Sequence, residues 1–226
     1  MQIGKLTQIF SPFYWKAHVT ETQEIVDRYL SKIEANTEKK PVMIPSDWQC
    51  TIHSSYMSND PEVALDTEWL NKIYAKYVTK FLDELKLKDC VVSLTDPWYN
   101  SFTNNQFQEP HTHLPTDFSI VHYLLFDEKD HEATTFVNPD SVAAESQRWF
   151  RPELYSKLNS REPMHSYYNS QFTPLDIKQG DLVIFPASLT HFVKPNRSEK
   201  RRITITLNAL VHDMEQLQYM QHMKPV

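Results

Sequence analysis

The sequence predicts an α+β fold in which two long helices precede a run of short strands. Three observations carry this reading. Apolar residues recur at helical spacing as far as about residue 88. Beyond Asp89 they fall into short runs broken by turn residues. No internal repeat or low-complexity linker separates the two parts. The 226 residues therefore read as one domain: helical support over 1–88, a β core over 89–211 with an insertion at about 141–172, and a tail over 212–226.

Residues 1–18 read as extended, with Ile9, Phe10, Phe13, Tyr14 and Trp15 as core anchors. Thr20 and Gln23 have the spacing of a capping box, and Ile25, Val26, Tyr29, Leu30 and Ile33 follow at helical spacing. Residues 37–64 read as irregular. A second helix starts near Asp66, where Leu70, Ile73, Tyr74, Tyr77, Val78, Phe81, Leu82 and Leu85 mark an apolar face through about Leu87. Strands are expected over 90–94, 98–102, 106–113, 118–126, 133–137, 173–177, 181–186, 191–194 and 202–211. That many short strands in sequence suggests a sandwich or a jelly-roll barrel. The insertion carries Arg148, Trp149, Phe150, Arg151, Tyr155, Arg161, Tyr167 and Tyr168. A long segment without strand pattern is expected to border the site as a lid or binding loop.

Composition narrows the function. Hydrophobic residues at 40% and charged residues at 23% are ordinary for a globular protein and exclude collagen-like, disordered and coiled-coil readings. Glycine occurs only twice, at Gly4 and Gly180, where ordinary usage would give about 16. No glycine-rich phosphate cradle or dinucleotide fingerprint can be built from two glycines, which removes kinase, P-loop and Rossmann readings. A net charge of −6 disfavours nucleic acid as a partner, because phosphate binding needs Lys and Arg. No apolar run reaches the ~20 residues of a membrane helix, and the first residues lack the apolar stretch of a secretory signal. Cys50 and Cys90 form neither a disulfide framework nor a zinc motif, so a reducing cytoplasm is expected.

Three segments carry residues suited to chemistry. In Gln108-Glu109-Pro110-His111-Thr112-His113, alternate residues of a strand share a face, so His111 and His113 can converge on one metal ion. Gly180 to Pro186 reads as a tight turn leading into a buried strand, and His191 follows a short connection. The last strand alternates, putting Arg202, Thr204, Thr206 and Asn208 on one face, where a buried Arg could grip a carboxylate with two parallel hydrogen bonds. Taken singly, each of these also fits a structural histidine or a solvated polar edge.

Together the three segments resemble the 2-oxoglutarate/Fe(II)-dependent oxygenase superfamily, in particular a branch with an HxH motif found in phages and marine bacteria. The pieces that match are Trp98-Tyr99-Asn100, His111-Thr112-His113-Leu114-Pro115, Val121-His122-Tyr123-Leu124, Asn138-Pro139, Gly180 to Pro186, His191, and Arg202 to Asn208. They cover about residues 89–211, and Trp48 to Ser54 also looks similar. The resemblance implies a double-stranded β-helix, a jelly-roll of cupin type, with the N-terminal helices packed on the major sheet. It implies Fe(II), 2-oxoglutarate and O2 as cofactor and cosubstrates, with ascorbate as a stimulant. It further implies decarboxylation to succinate coupled to oxidation of a C–H bond in an unidentified small molecule or protein side chain, in the cytoplasm (the host's, for a phage-encoded chain).

The resemblance also implies roles. Arg202 would pair with the 5-carboxylate of 2-oxoglutarate, and Tyr123 would donate a hydrogen bond to a cosubstrate carboxylate. The superfamily's usual triad is two His and one carboxylate, and here His113 stands where the carboxylate should be. Three ligand sets are then open: His111, His113 and His191, which fits the strand geometry best, or His111 and His191 completed by either Asp117 or Glu109. A cupin-like metal barrel without oxygenase activity, and a three-His dioxygenase that needs no 2-oxoglutarate, are the competing functions. Neither requires Arg202.

Overall fold

The computed structural model describes residues 12–39, 48–58, 60–158 and 169–214. Ile9, Phe10, Arg161, Tyr167, Tyr168 and nearly all of the expected tail lie outside the described residues, as does the side chain of Arg148.

Among the described residues there are eleven strands and four helices. In chain order they are β1 (Trp15–His18), α1 (Thr22–Lys39), β2 (His53–Ser54), α2 (Thr67–Glu84), β3 (Cys90–Leu94), β4 (Trp98–Phe102), β5 (Gln108–His111), β6 (Phe118–Leu125) and β7 (Thr135–Val137). Then follow α3 (Ser141–Phe150), α4 (Pro152–Tyr155), β8 (Gln171–Phe172), β9 (Asp181–Pro186), β10 (His191–Val193) and β11 (Arg202–Asp213). Seven strands form a major sheet in the order β1-β9-β6-β11-β4-β2, with β3 also paired to β11. A minor sheet runs β5-β10-β7-β8, and every pairing in both sheets is antiparallel. This is the expected α+β double-stranded β-helix.

Alternation along the strands explains the layers. On the major sheet Ile203, Ile205 and Leu207 of β11, Ile120 and Leu124 of β6, and Leu182 and Ile184 of β9 share one core with α1 and α2. The residues between them point the other way: Val121, Tyr123, Val183 and Phe185 join Phe136 and Leu189 in a second core between the sheets. The helices therefore cover the outer face of the major sheet and leave its inner face free to line a cavity.

The helices begin where their caps are made. The Asp66 side chain accepts from the Trp69 backbone N–H at 3.0 Å and starts α2. The Thr20–Gln23 pair does not act as the expected capping box. Thr20 Oγ1 donates to the Glu21 carboxylate, the Gln23 amide donates to Asp27, and α1 starts at Thr22. On the helix face of β6, His122 sits between the Tyr74 hydroxyl at Nδ1 and Thr22 Oγ1 at Nε2, each 3.0 Å away. Thr22 already donates to the Val19 carbonyl, so it accepts from Nε2–H, and Tyr74 donates to the lone pair on Nδ1. That network is satisfied only by neutral imidazole, and burial pushes the His122 pKa down to about 3.

Gly180 has φ +88°, and a Cβ there would stand 2.5 Å from His18 Cε1. Its backbone ties two strands, donating to Tyr123 O and accepting from Val19 N, each at 2.8 Å. The close approach and the left-handed backbone both require glycine.

Further expectations need correcting. Phe13 is 38% exposed and leans on Phe81 from outside, so it is no core anchor. No strand forms over 173–177. Pairing stops at β8, because Pro174 has no N–H to give a ladder, although Ile177 is buried between the sheets. The stretch read as irregular over 37–64 contains β2, which pairs with Ser101 and Asn100 of β4. The expected lid is also not found among the described residues of 141–172. They form α3, α4 and β8, and none of them lines the cavity described next.

Candidate active site

A cavity of about 730 Å³ opens between the sheets. His111, His113 and His191 line it together with Arg202, Thr204, Thr206 and Asn208. The face read from alternation in β11 is thus the face the cavity uses.

The three histidines arrive by separate local devices. β5 is an edge strand, where Pro110 costs no ladder bond, and its last residue His111 stands directly across from His191 of β10. His113 lies past the end of β5, and its backbone N–H is fixed on Ala187 O at 2.9 Å. Ring centroids are 4.3 Å apart for His111–His191, 5.0 Å for His111–His113 and 5.1 Å for His113–His191. One nitrogen from each ring falls in a set whose members all lie within 4.8 Å of one another, and no other such group of His, Cys, Asp or Glu occurs among the described residues.

Their hydrogen bonds fix the donor atoms. His111 Nδ1 is 2.7 Å from Glu109 O, and His191 Nδ1 is 2.9 Å from Leu189 O. A carbonyl only accepts, so both Nδ1 atoms carry the proton and both Nε2 atoms present lone pairs. This is the outer-shell arrangement that orients metal-binding imidazole. Burial holds all three rings below the usual histidine range, His113 down to about 3, and each has a neighbouring ring or rings that would repel a second charge. Three neutral imidazoles aimed at one point are a donor set for a transition metal.

Each of the two alternative carboxylates has one oxygen engaged elsewhere, and Glu109 Oε2 is buried without a hydrogen-bond partner. Asp117 Oδ2 accepts from Val211 N at 2.8 Å. Glu109 Oε1 accepts from Gln49 N at 2.8 Å. Neither belongs to the cluster of donors.

Arg202 is 2% exposed, and its Nε, Nη1 and Nη2 are buried without a hydrogen-bond partner. Its guanidinium carbon lies 4.8 Å from the Phe102 ring centroid and 5.5 Å from that of Tyr123. Burial lowers its pKa from the usual value, and the nearby Tyr123 opposes that shift. Among the described residues Asp96 is the only acid on the cavity wall, and it accepts from the Thr67 hydroxyl at 2.9 Å. A buried cation facing a cavity that offers no carboxylate to it is matched to an anion from outside. Arg201 is used differently. Its Nη1 donates to Thr37 Oγ1 at 2.7 Å and to Ser101 Oγ at 3.2 Å, tying β11 to α1. The Tyr123 hydroxyl donates to Thr134 Oγ1 and accepts from Thr134 N, both at 3.1 Å, and Thr134 is the member of this pair that lines the cavity.

Sequence reasoning missed the wall beside His113. The Trp98 ring stacks on His113 with centroids 5.8 Å apart, and Tyr56 and Trp48 continue outward from it. Residues 48–58 reach this place through β2, whose two residues gave no periodic signal.

Residues 96–208 match the profile of the family described as "Putative 2OG-Fe(II) oxygenase". A search of curated proteins finds no match. Among solved structures, a prolyl-4-hydroxylase of Pseudomonas putida superposes with a TM-score of 0.52 at 12% identity, covering 87% of this chain and 91% of its own. AviO1 of Streptomyces viridochromogenes Tue57 gives 0.54 at 12% identity over 87% and 89% of the two chains. SnoN, a non-heme alpha-ketoglutarate-dependent epimerase of nogalamycin biosynthesis, gives 0.54 at 14% identity over 87% and 77%.

Proposed function

The chain belongs to the 2OG-Fe(II) oxygenase family, and from that premise we propose that His111, His113 and His191 hold the iron while Arg202 holds the 5-carboxylate of 2-oxoglutarate. The observation that carries the second half is the unpartnered Arg202 guanidinium in the same cavity as the histidines. A planar cation matches a carboxylate with two parallel hydrogen bonds, and no described acid is bonded to the Arg202 guanidinium, which leaves that geometry to the ligand. Neither a cupin-like binding barrel nor a dioxygenase independent of 2-oxoglutarate requires such a cation.

When bound, iron with 2-oxoglutarate and O2 supplies decarboxylation to succinate and oxidation of a substrate C–H bond. The chain supplies the rest. Glu109 O and Leu189 O hold His111 and His191 in the tautomer that offers Nε2. Trp98 stacks on one face of His113 and helps hold the ring in place. Phe102 and Tyr123 flank the guanidinium, and Tyr123 acts with Thr134 at the cosubstrate end. Thr204 and Thr206 offer hydroxyls between the two ends of the cavity.

The reaction is hydroxylation of an unidentified small molecule or protein side chain, stimulated by ascorbate, in the cytoplasm. The prolyl-4-hydroxylase and the epimerase share the fold with this chain, and fold alone does not choose between such substrates. The test is succinate formation from 2-oxoglutarate with Fe(II) and ascorbate in the absence of added substrate. Succinate that disappears with a chelator and in Arg202→Ala supports the assignment. Metal binding without any succinate favours the barrel without oxygenase activity.

A further inference from the structure

The aromatic wall beside His113 is a continuous column. Successive centroids are 5.8 Å apart from His113 to Trp98, 4.9 Å from Trp98 to Tyr56 and 5.4 Å from Tyr56 to Trp48. Trp98 is 6% exposed, whereas Tyr56 and Trp48 are half-exposed, so the column runs from the buried centre to solvent. It is held firmly. Ser55 N donates to Tyr99 O at 3.0 Å, Tyr99 N donates to Ser55 Oγ at 2.9 Å, and Tyr56 N donates to Ser54 Oγ at 3.1 Å. The other described tryptophans are placed otherwise: Trp15 donates to Glu84, Trp69 lies under Arg28, and Trp149 is 83% exposed on α3.

Indole and phenol are among the side chains most easily oxidised by one electron, and rings in contact pass a hole readily. Resting on the oxygenase reading above, we propose that Trp98, Tyr56 and Trp48 form an electron path that carries oxidising equivalents away from the metal centre when turnover proceeds without substrate. The electron count gives the path its purpose. Reducing O2 to water takes four electrons, and decarboxylation of 2-oxoglutarate supplies two. The substrate C–H bond normally supplies the others. With no substrate, two single-electron passages inward along the column, drawn at Trp48 from a reductant of the ascorbate class, complete 2-oxoglutarate + O2 + 2 electrons + 2 protons → succinate + CO2 + water. Tyr56 is partly exposed, which lets its phenolic proton pass to water as the hole moves through it. With no reductant, a ring of the column is itself consumed: a ring C–H and water become C–OH, releasing the same two electrons and two protons.

Two measurements test the path. In the first, the full chain turns over Fe(II), 2-oxoglutarate and O2 without substrate or ascorbate, and oxygen addition is mapped by peptide mass spectrometry. Oxidation is expected on Trp98, Tyr56 and Trp48, with exposed Trp149 spared. Tyr56→Phe keeps the ring but not the ease of oxidation. It should raise modification of Trp98, lower that of Trp48, and cut the turnovers before inactivation severalfold, with ascorbate no longer protective. Trp48→Phe should produce the same inward shift, and thermal melting checks that both variants fold. In the second, the metal-free chain is exposed to a ruthenium polypyridyl photo-oxidant with persulfate. Buried Trp98 should be modified in the wild type and protected in Tyr56→Phe. Preferential oxidation of Trp149 in the first measurement, or Trp98 labelling unchanged by Tyr56→Phe in the second, overturns the path. Absence of succinate overturns the reading of the centre, and the photochemical result stands apart from it.

Discussion

His111 and His191 face each other across the antiparallel pair β5–β10, with ring centroids 4.3 Å apart. A single backbone register thus brings together residues eighty positions apart in the sequence. Each ring is also steered by a carbonyl two residues earlier in the chain.

Removing His191 should therefore abolish iron binding while leaving the fold intact. Loss of an outer-shell partner typically costs 10–100-fold in metal affinity, so loss of a ligand should cost roughly a hundredfold or more. Iron titration of His191→Ala, with circular dichroism as the fold check, measures this. Unchanged affinity removes His191 from the site.

The third ligand is tested by a set of variants. His113→Ala should lose iron, whereas Asp117→Ala and Glu109→Ala should retain it, since their carboxylates bind Val211 N and Gln49 N. Iron retained in His113→Ala and lost in either carboxylate variant reverses the assignment.

At the cosubstrate end, Arg202→Ala should weaken 2-oxoglutarate binding by roughly a hundredfold or more, about 3 kcal/mol, with iron binding little changed. Arg201→Ala should leave cosubstrate affinity near wild type, because its guanidinium is tied to Thr37 and Ser101. Calorimetric titration of 2-oxoglutarate decides. The opposite pattern would place the anchor one residue earlier.

His122 makes stability depend on pH. Its folded pKa of about 3 is depressed below the ordinary histidine value of ~6.5, so the unfolded chain binds more protons between these values. The neutral form's stabilisation is complete above ~6.5 and is lost as pH falls toward 3, at up to about 1.4 kcal/mol per pH unit for this group. Urea unfolding across that range should show a shallower acid limb in His122→Gln than in the wild type. Parallel curves would mean that His122 does not set the slope.

The inner face of β11 was legible because strand alternation is local. Arg202, Thr204, Thr206 and Asn208 line the cavity, and Ile203, Ile205 and Leu207 pack on the helices. The HxH pair was legible for the same reason, although His113 is held by Ala187 O beyond the strand rather than in it. What depended on distant partners was not legible. The seat of Trp48 and Tyr56 against Trp98 is set by the two residues of β2, too few to carry a pattern. The strand expected over 173–177 does not form, because Pro174 denies that segment its pairing. Of the segment 141–172 expected to border the site, Trp149 and Phe150 of α3 face solvent and away from the cavity wall, while 159–168 lie outside the described residues.

β11 is bonded on one side to β6 and on the other to β4 and β3, so the strand that carries Arg202 is the spine of the major sheet. An unpaired guanidinium placed there is a standing cost to the empty protein, felt by four strands at once. A dicarboxylate that satisfies it lowers the free energy of the folded state alone. Heat resistance then becomes a gauge of occupancy. A rise in melting temperature with 2-oxoglutarate, absent in Arg202→Ala, would rank candidate cosubstrates before any reaction has been found.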